Sequence, residues 1–547
     1  MKKLTLPTIL LGISMFFTGA SCFVVQNILS ITASSILGNT FVQYGVTISL
    51  MLGAMGIGGT LQRYISSDNI LAKYLFLEML LILLTGFALI GLYAAYALMP
   101  EHFLLIQYLW IILVGLFIGF EIPIISRINE TYQPNIKDNL ASIMTMDYVG
   151  SMIGGLLWTF VFLGEIELGL GAFLTAGLNL IVSFAVYFYF MYKQTGKLFD
   201  KVFAAVIITS VLLVIGFYNS KAWEVDLQQK LYDEKIVFNK ITKYQILTMT
   251  HDSDINDYRL YINGNLQFSS IDENIYHEHL VHPILSSSKK RDYVLILGGG
   301  DGFALREVLK YPDVKYVNLV DLDPEMIKIS STGIIAELNH NSFKDARVET
   351  DSPEMLKKGL KNIYIDDSDT SKPKIKLARV EIFNIDAFNF IKDTDKKYDA
   401  VIIDFPDPSH VEVNKLYTKE FFIHLQGLLN LGANIVVQST SPYHAKEAYL
   451  CIDRTMKSVG FKTLLYHHNV PSFGDWGWII GYTDSSLLKN IDTIQQYQVK
   501  TTYLEPSLMR SSMFFGKSIL DTKEVAVNTI LNPVLLKYYT KESWKVE

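Results

Sequence analysis

Apolar residues crowd the first 220 positions of the chain in seven stretches, at about 7–31, 41–62, 70–98, 103–125, 141–163, 168–190 and 202–218, separated by short polar breaks. A helix needs roughly 20 apolar residues to cross a hydrocarbon core. The pattern therefore predicts a seven-helix transmembrane bundle over residues 1–220. The first stretch outruns the h-region of a signal peptide and six more follow it, so it is expected to remain in the mature chain. Beyond Tyr218 the periodicity changes. Lys221 to Lys235 is charged and reads as a helical connector. Thr242 to Gln267 alternates polar and apolar positions around Asn263-Gly264, a strong hairpin signal, and predicts a small antiparallel β-subdomain within 221–285. From 286 to 500, β-branched runs and helical stretches form βαβ units, which predicts a Rossmann-like, methyltransferase-type doubly wound sheet. Residues 501–547 read as a mostly helical tail.

Composition sharpens the division. Of 48 Lys/Arg and 54 Asp/Glu, only nine and ten fall in residues 1–220. The mean hydropathy of +0.25 agrees with a large membrane part surrounded by lipid. The net charge of −6 and the absence of a Lys/Arg cluster exclude the basic field that nucleic acid requires. Cys22 and Cys451 give neither a disulfide framework nor a metal pattern, and no metal-ligand cluster is visible in the sequence. Glu78, Glu121 and Asp147 interrupt the apolar stretches, where ionisable groups are costly. They are expected to line a path for a cation, or to pair with Arg127 or bond across helices. Gly53, Gly56, Gly58, Gly59, Gly150, Gly154 and Gly155 read as close-packing helix faces. Lys2, Lys3, Arg63, Lys73, Arg127, Lys137, Lys193, Lys197 and Lys201 all lie on the amino-terminal side of the predicted bundle, which places the N-terminus in the cytoplasm.

The chemistry is concentrated from Asp292 to Asp323. The run Tyr293–Leu297 ends in Gly298, Gly299 and Gly300, a helix opens after Gly302, and a second run, Tyr316–Val320, ends in Asp321. Glycines here let a ligand lie against the backbone, and the acid can accept from two ribose hydroxyls, so a nucleoside is the expected guest. Asp301 stands within the turn. Its carboxylate would repel a pyrophosphate or the carboxylate of S-adenosylmethionine and attract a primary ammonium. Decarboxylated S-adenosylmethionine has the required adenosine and amine ends.

Gly298-Gly299-Gly300-Asp301-Gly302, followed by Arg306-Glu307-Val308 and the acid at Asp321, resembles the spermidine synthase family of polyamine aminopropyltransferases. The resemblance covers about 240–485, and the variant segment Pro471–Gly477 is similar to the membrane-embedded bacterial subgroup. It implies that Gln245 of Tyr244-Gln245 contacts the co-substrate, together with Gly298, Gly300, Asp301, Asp321, Asp386 and Ala387. It implies that Tyr276 assists the attacking amine and His277 contacts polyamine. Asp404 and Asp407, in a strand end resembling the family's D-x-x-D-P motif, become the proton acceptor and the holder of the distal amine, and Gln438 a pocket residue. Asp386 has a second reading as the N-cap of a helix over 387–392. The sequence departs from the family at Phe405-Pro406, at Ser409–Asn414 and at Phe473, where a gate tyrosine is usual. Residues 349–377 read as a partly disordered surface insertion.

The expected activity is transfer of an aminopropyl group from decarboxylated S-adenosylmethionine, a co-substrate and not a tightly bound cofactor, to putrescine or a related diamine, with release of methylthioadenosine. An S-adenosylmethionine-dependent methyltransferase and a non-catalytic membrane polyamine sensor or carrier are the alternatives, and a homo-oligomer is left open. Seven spans and the loop charges together send the C-terminal half outside. The co-substrate is made in the cytoplasm, however, and on that ground the catalytic half of this inner-membrane, multi-pass protein is expected there.

Overall fold

The apolar stretches become α1 (Leu6–Leu37), α2 (Thr40–Leu61), α3 (Ile70–Gly86), α4 (Ala88–Leu98), α5 (Phe103–Asn129), α6 (Ile136–Leu157), α7 (Leu168–Met191) and α8 (Lys197–Gln228). The computed structural model describes residues 5–37, 40–163, 166–191, 197–344, 348–350, 379–521 and 524–542. Among these, six helices are long and apolar enough to cross a membrane, or seven if α3 and α4 count as one broken span. The expected single helix over 70–98 is thus two, bent by 60°. Gly86 sits at the break, where a Cβ would come within 2.9 Å of Leu213. Glycine is a weak helix former, and this crowding uses its lack of a side chain.

Helix packing follows the small-residue pattern only in part. Gly150, Gly154 and Gly155 face α1 and Gly58 faces α5 at distances that no Cβ would tolerate, whereas Gly53 and Gly56 meet nothing within 4 Å. Of the embedded acids, Glu78 accepts from Tyr74 Oη at 2.6 Å and Thr18 Oγ1 at 3.2 Å. Among the described residues, neither carboxyl oxygen of the buried Glu121 has a hydrogen-bond partner. Arg127 does not pair with any of them; it donates to Gln62, to the Ile65 carbonyl and to Ser67. These bonds, with Thr8 to Asn129 at 2.8 Å, gather residues 8, 65–67 and 127–129 at one end of the helices. Lys221 and Glu167, 2.7 Å apart, mark the other.

The chain divides into two compact units, Met1–His251 with Ile262–Gly264, and Asp252–Tyr261 with Asn265–Glu547. The antiparallel sheet predicted within 221–285 is present as β1 (Lys235–Ile241), β2 (Ile246–Asp252), β3 (Asp257–Ile262) and β4 (Asn265–Ser269), in that order. Positive φ at Asn263 and Gly264 closes the β3–β4 hairpin. β1 is a strand that the charged pattern around Lys235 concealed.

The second unit continues with α9 (Glu273–Ser287), β5 (Tyr293–Gly298), α10 (Phe303–Leu309), β6 (Tyr316–Asp321), β7 (Val348–Thr350), β8 (Arg379–Asn384), β9 (Tyr398–Asp404), β10 (Leu429–Gln438), β11 (Lys462–Val470) and β12 (Gly474–Tyr482). Its sheet runs β11-β12-β10-β9-β5-β6-β8-β7. All neighbours pair in parallel except β12, which is antiparallel to β10 and β11. Val294 and Ile296 enter one core while Leu295 and Leu297 enter the core on the opposite face. Burial on both faces explains the unbroken apolar runs of the central strands. The strand order reverses between β5 and β9, and a crevice at the carboxyl ends of the strands is where ligands bind in such sheets.

Two expectations need amendment or fall outside. The tail is helical only at Pro506–Ser512 and Val534–Glu542 and irregular between them among the described residues, a stretch that contains Gly516 and Asn532-Pro533. Of the proposed insertion, Glu349 and Thr350 belong to β7 and the rest lies outside the described residues.

Gly298 combines φ of +82° with a position where a Cβ would lie 2.1 Å from the Asp404 carbonyl oxygen. Gly298→Ala should therefore cost roughly 2 to 6 kcal/mol, summing backbone strain and overpacking. Thermal unfolding of the purified protein measures it; an unchanged melting temperature would contradict the close approach of β5 and β9.

Candidate active site

β5 ends at Gly298, and the chain turns through Gly299, Gly300, Asp301 and Gly302 into α10. The Gly300 N–H donates to Asp321 Oδ2 at 3.1 Å, and a Cβ there would come within 2.6 Å of that oxygen. Asp321, ending β6, also accepts from the Asp323 N–H at 2.9 Å. Burial pushes its pKa up to about 6. The glycine turn and the acid predicted to hold ribose thus touch directly.

Asp301 Oδ1 accepts from the Phe303 N–H at 3.0 Å, and its Oδ2 lies 4.0 Å from His277 Nε2. His277 stands on α9 with Nδ1 3.0 Å from Glu273 Oε2. Burial opposes a charge on the ring, but Glu273 and Asp301 outweigh it and raise its pKa to about 9. The imidazole is a cation at neutral pH. Glu273 is held by both terminal nitrogens of the buried Arg306, at 2.8 and 2.9 Å. Asp301 has its pKa raised, burial outweighing the attraction of His277.

Tyr276, one residue earlier on α9, donates its hydroxyl to Asp404 Oδ1 at 2.7 Å. Phe473, Trp476 and Trp478 pack round its ring. Asp404 ends β9 opposite Gly298. Burial, reinforced by the charge of Asp301, raises its pKa to about 6. Three residues on, Asp407 accepts from Tyr539 Oη at 2.8 Å, and Gln438 Nε2 stands 3.4 Å from its other oxygen. Burial raises this carboxyl to about 6 as well. Gln438, at the end of β10, also donates to Tyr417 Oη at 2.8 Å.

Asp386 is the N-cap of the helix Ala387–Asp393, accepting from the Asn389 N–H at 3.1 Å, and its second oxygen is 2.7 Å from Lys415 Nζ. The capping reading therefore describes what this side chain does. Ala387 is buried at the first position of that helix. Gln245 belongs to the first unit, where it ends the turn into β2 with its N–H on Thr242 Oγ1.

The fold brings together what sequence spacing hid. His277, Asp301 and Asp404 place ligand atoms within 4.8 Å of one another, the separation of a cation site. Two of the three groups are carboxylates, so the cluster attracts a cation. A second cluster of this kind, Glu278, His282 and Glu307, is committed internally: Glu278 accepts the N–H groups of Thr502, Tyr503 and Leu504, and His282 bridges Tyr311 and Glu307. Glu273 and Tyr539 were missed in the sequence. The carboxylate of Glu273 sits four residues before His277, a helical spacing that could have signalled it. Tyr539 had no local signal.

Comparison with known proteins agrees with this geometry. The spermine/spermidine synthase domain model matches residues 273–358 and 353–493. A polyamine aminopropyltransferase of Oceanobacillus iheyensis is 34% identical over 519 residues, covering 94% of this chain and 93% of its own. One from Leptospira interrogans is 33% identical over 525 residues, with 96% of each chain covered. Polyamine aminopropyltransferase 2 of Aquifex aeolicus is 34% identical over 532 residues, covering 97% of this chain and 98% of its own. These matches run through the helical half as well as the sheet, and with the site they place the chain among the aminopropyltransferases, as a member of the spermine/spermidine synthase family.

Proposed function

We propose that the acceptor is putrescine or a related diamine and that Asp404 is the proton acceptor of the transfer. The observation that carries this reading is the Tyr276–Asp404 hydrogen bond at the switch point, with Asp301 on one side and Asp407 three residues beyond. A neutral amine nitrogen attacks the methylene carbon beside the sulfonium; the C–N bond forms, the C–S bond breaks, and sulfur leaves as neutral methylthioadenosine. The acceptor amine arrives as an ammonium and gives its proton to Asp404 before it attacks, and the product nitrogen is left as a secondary ammonium. The leaving group is already good, so the protein's task is to present a deprotonated amine in line with carbon. In water only about one alkylamine in a few thousand is neutral at pH 7. A carboxylate with a pKa of about 6 is a better base than an ordinary aspartate and is still ionised at neutral pH. Asp301 takes the aminopropyl ammonium, Asp407 the acceptor's distal ammonium, and Asp321 the ribose.

Asp404→Asn keeps the shape and removes the base, so kcat should fall about 10²- to 10⁴-fold with co-substrate binding retained. A loss under threefold would remove Asp404 from the role. In the wild type, Asp404 and Asp407 must both be ionised, and both have pKa raised to about 6. Activity should therefore be full above that pH and fall as pH drops through it, with the acid limb of kcat/KM for the diamine steeper than a single ionisation; an acid limb centred near pH 4 would contradict the raised values.

The helical unit is read here as a seven-span membrane domain of the inner membrane. Support comes from its two ends: residues 8, 65–67 and 127–129 meet at one, and Lys221 meets Glu167 at the other. α5 has 27 residues, about 40 Å at 1.5 Å per residue, which separates Phe103 from the first end by more than a hydrocarbon core. The chain then leaves α8 on the face opposite its N-terminus. The co-substrate is a cytoplasmic dication that does not cross lipid, which puts the catalytic unit in the cytoplasm and the lysine-bearing loops outside, against the usual bias. Cysteine at Leu431, a fully exposed residue of the catalytic unit, should be protected from an impermeant maleimide in intact cells. Cysteine at Ser66, in the loop before α3, should be labelled. The reverse pattern would place the catalytic unit outside.

A further inference from the structure

Asp407 is half-buried and has neutral donors around it: Tyr539 Oη at 2.8 Å, Gln438 Nε2 at 3.4 Å and Thr440 Oγ1 at 3.5 Å. Among the described residues it forms no ion pair with Lys, Arg or His. The nearest of these donors, Tyr539, comes from the far end of the chain, and its position is firmly specified. Asn528, fully buried, donates through Nδ2 to the carbonyls of Asn414 and Tyr417, and its own carbonyl accepts the Lys419 N–H at 2.9 Å. Its N–H donates to Thr455 Oγ1 at 3.0 Å. The Leu536 N–H donates to Asn414 Oδ1 at 3.2 Å. The tail is thus tied to the segment that follows the two aspartates. Leu535, fully buried in the core that also holds Tyr417, Phe421 and Phe422, anchors the helix Val534–Glu542. Tyr539 lies one turn further, on the same face.

We propose that Tyr539 is a specificity-determining residue of the acceptor pocket, its phenol and the Asp407 carboxylate together binding the ammonium at the far end of the diamine. This rests on the reading of Asp407 as holder of that ammonium. In the structure the phenol donates to the carboxylate. With an ammonium between them, the hydroxyl turns and its oxygen accepts an N–H, so the cation meets two oxygens instead of one. A phenol can serve either way because it both donates and accepts. The hydrogen bond also holds the Asp407 pKa below what burial alone would give. Its loss would leave the carboxylate protonated to a higher pH.

The test is Tyr539→Phe in the full-length protein, assayed with decarboxylated S-adenosylmethionine and two acceptors, 1,4-diaminobutane and n-butylamine, which lacks the distal ammonium. Loss of a hydrogen bond to a charged group should raise KM for the diamine about 10-fold or more. kcat and the KM for co-substrate should stay within about twofold, and n-butylamine should be unaffected, so the preference for diamine over monoamine narrows. The acid limb for the diamine should move to higher pH. Equal KM increases for both acceptors would mean that Tyr539 only shapes the wall, and unchanged kinetics would remove it from the pocket; either overturns the proposal. Asp407→Asn is measured beside it: if that variant keeps the full diamine preference, the assignment of Asp407 itself falls, whereas loss of preference there with none in Tyr539→Phe rejects Tyr539 alone.

Discussion

The parallel contact of β5 with β9 is the constraint on which the site depends. These two strands are neighbours because the sheet reverses its winding there, and their last pair is Gly298 with Asp404. The approach is so close that only glycine fits at 298. That single contact decides three things at once. It starts the glycine turn that carries Asp301, it aims Asp404 into the crevice, and it brings Asp404 within reach of Tyr276 on α9. The rest of the second unit fixes this junction from outside. Arg306 on α10 holds Glu273, which holds His277 over Asp301, so the helix before the sheet and the helix after the turn are cross-braced by a buried charge network.

What the junction creates is an electrostatic trap. Asp301, Asp404 and Asp407 are carboxylates pushed up in pKa by burial. Keeping them ionised without a counter-charge is unfavourable, and His277 supplies one positive charge against the three. Cations satisfy the deficit. Decarboxylated S-adenosylmethionine brings a sulfonium and an ammonium, and the diamine proposed as acceptor would bring a further ammonium. On the proposed reading of Asp301, a carboxylate on the co-substrate would be repelled there.

Legibility in the sequence followed the range of each interaction. The glycine turn, Asp321, Asp404 and Asp407 were readable because each ends a short β-branched run, and a strand end in a parallel sheet is local information. Tyr276 bonds to a residue 128 positions away and was reached only by resemblance to a family. The capping role of Asp386 was readable from its place before the helix Ala387–Asp393, and the structure adds the Lys415 pair. The break between α3 and α4 left no trace because apolarity continues across it, and bending depends on how α8 packs at Gly86. β1 was missed because its residues fall between the connector read over Lys221 to Lys235 and the alternation that starts at Thr242. The Glu78 and Glu121 side chains showed the limit of pairing by composition: Arg127 was available in sequence but is engaged at the helix ends.

Choice of co-substrate by the carboxylate in the glycine turn is tested by measuring the affinities of decarboxylated and intact S-adenosylmethionine for the wild type and Asp301→Asn. Asparagine keeps the bond to the Phe303 N–H but removes the charge. Loss of one ionic hydrogen bond, roughly 1.5–3 kcal/mol, should weaken the decarboxylated form about 10- to 150-fold. The intact form should not weaken likewise, so the preference narrows or inverts. A wild type that prefers intact S-adenosylmethionine, with the variant losing both ligands equally, would contradict the account.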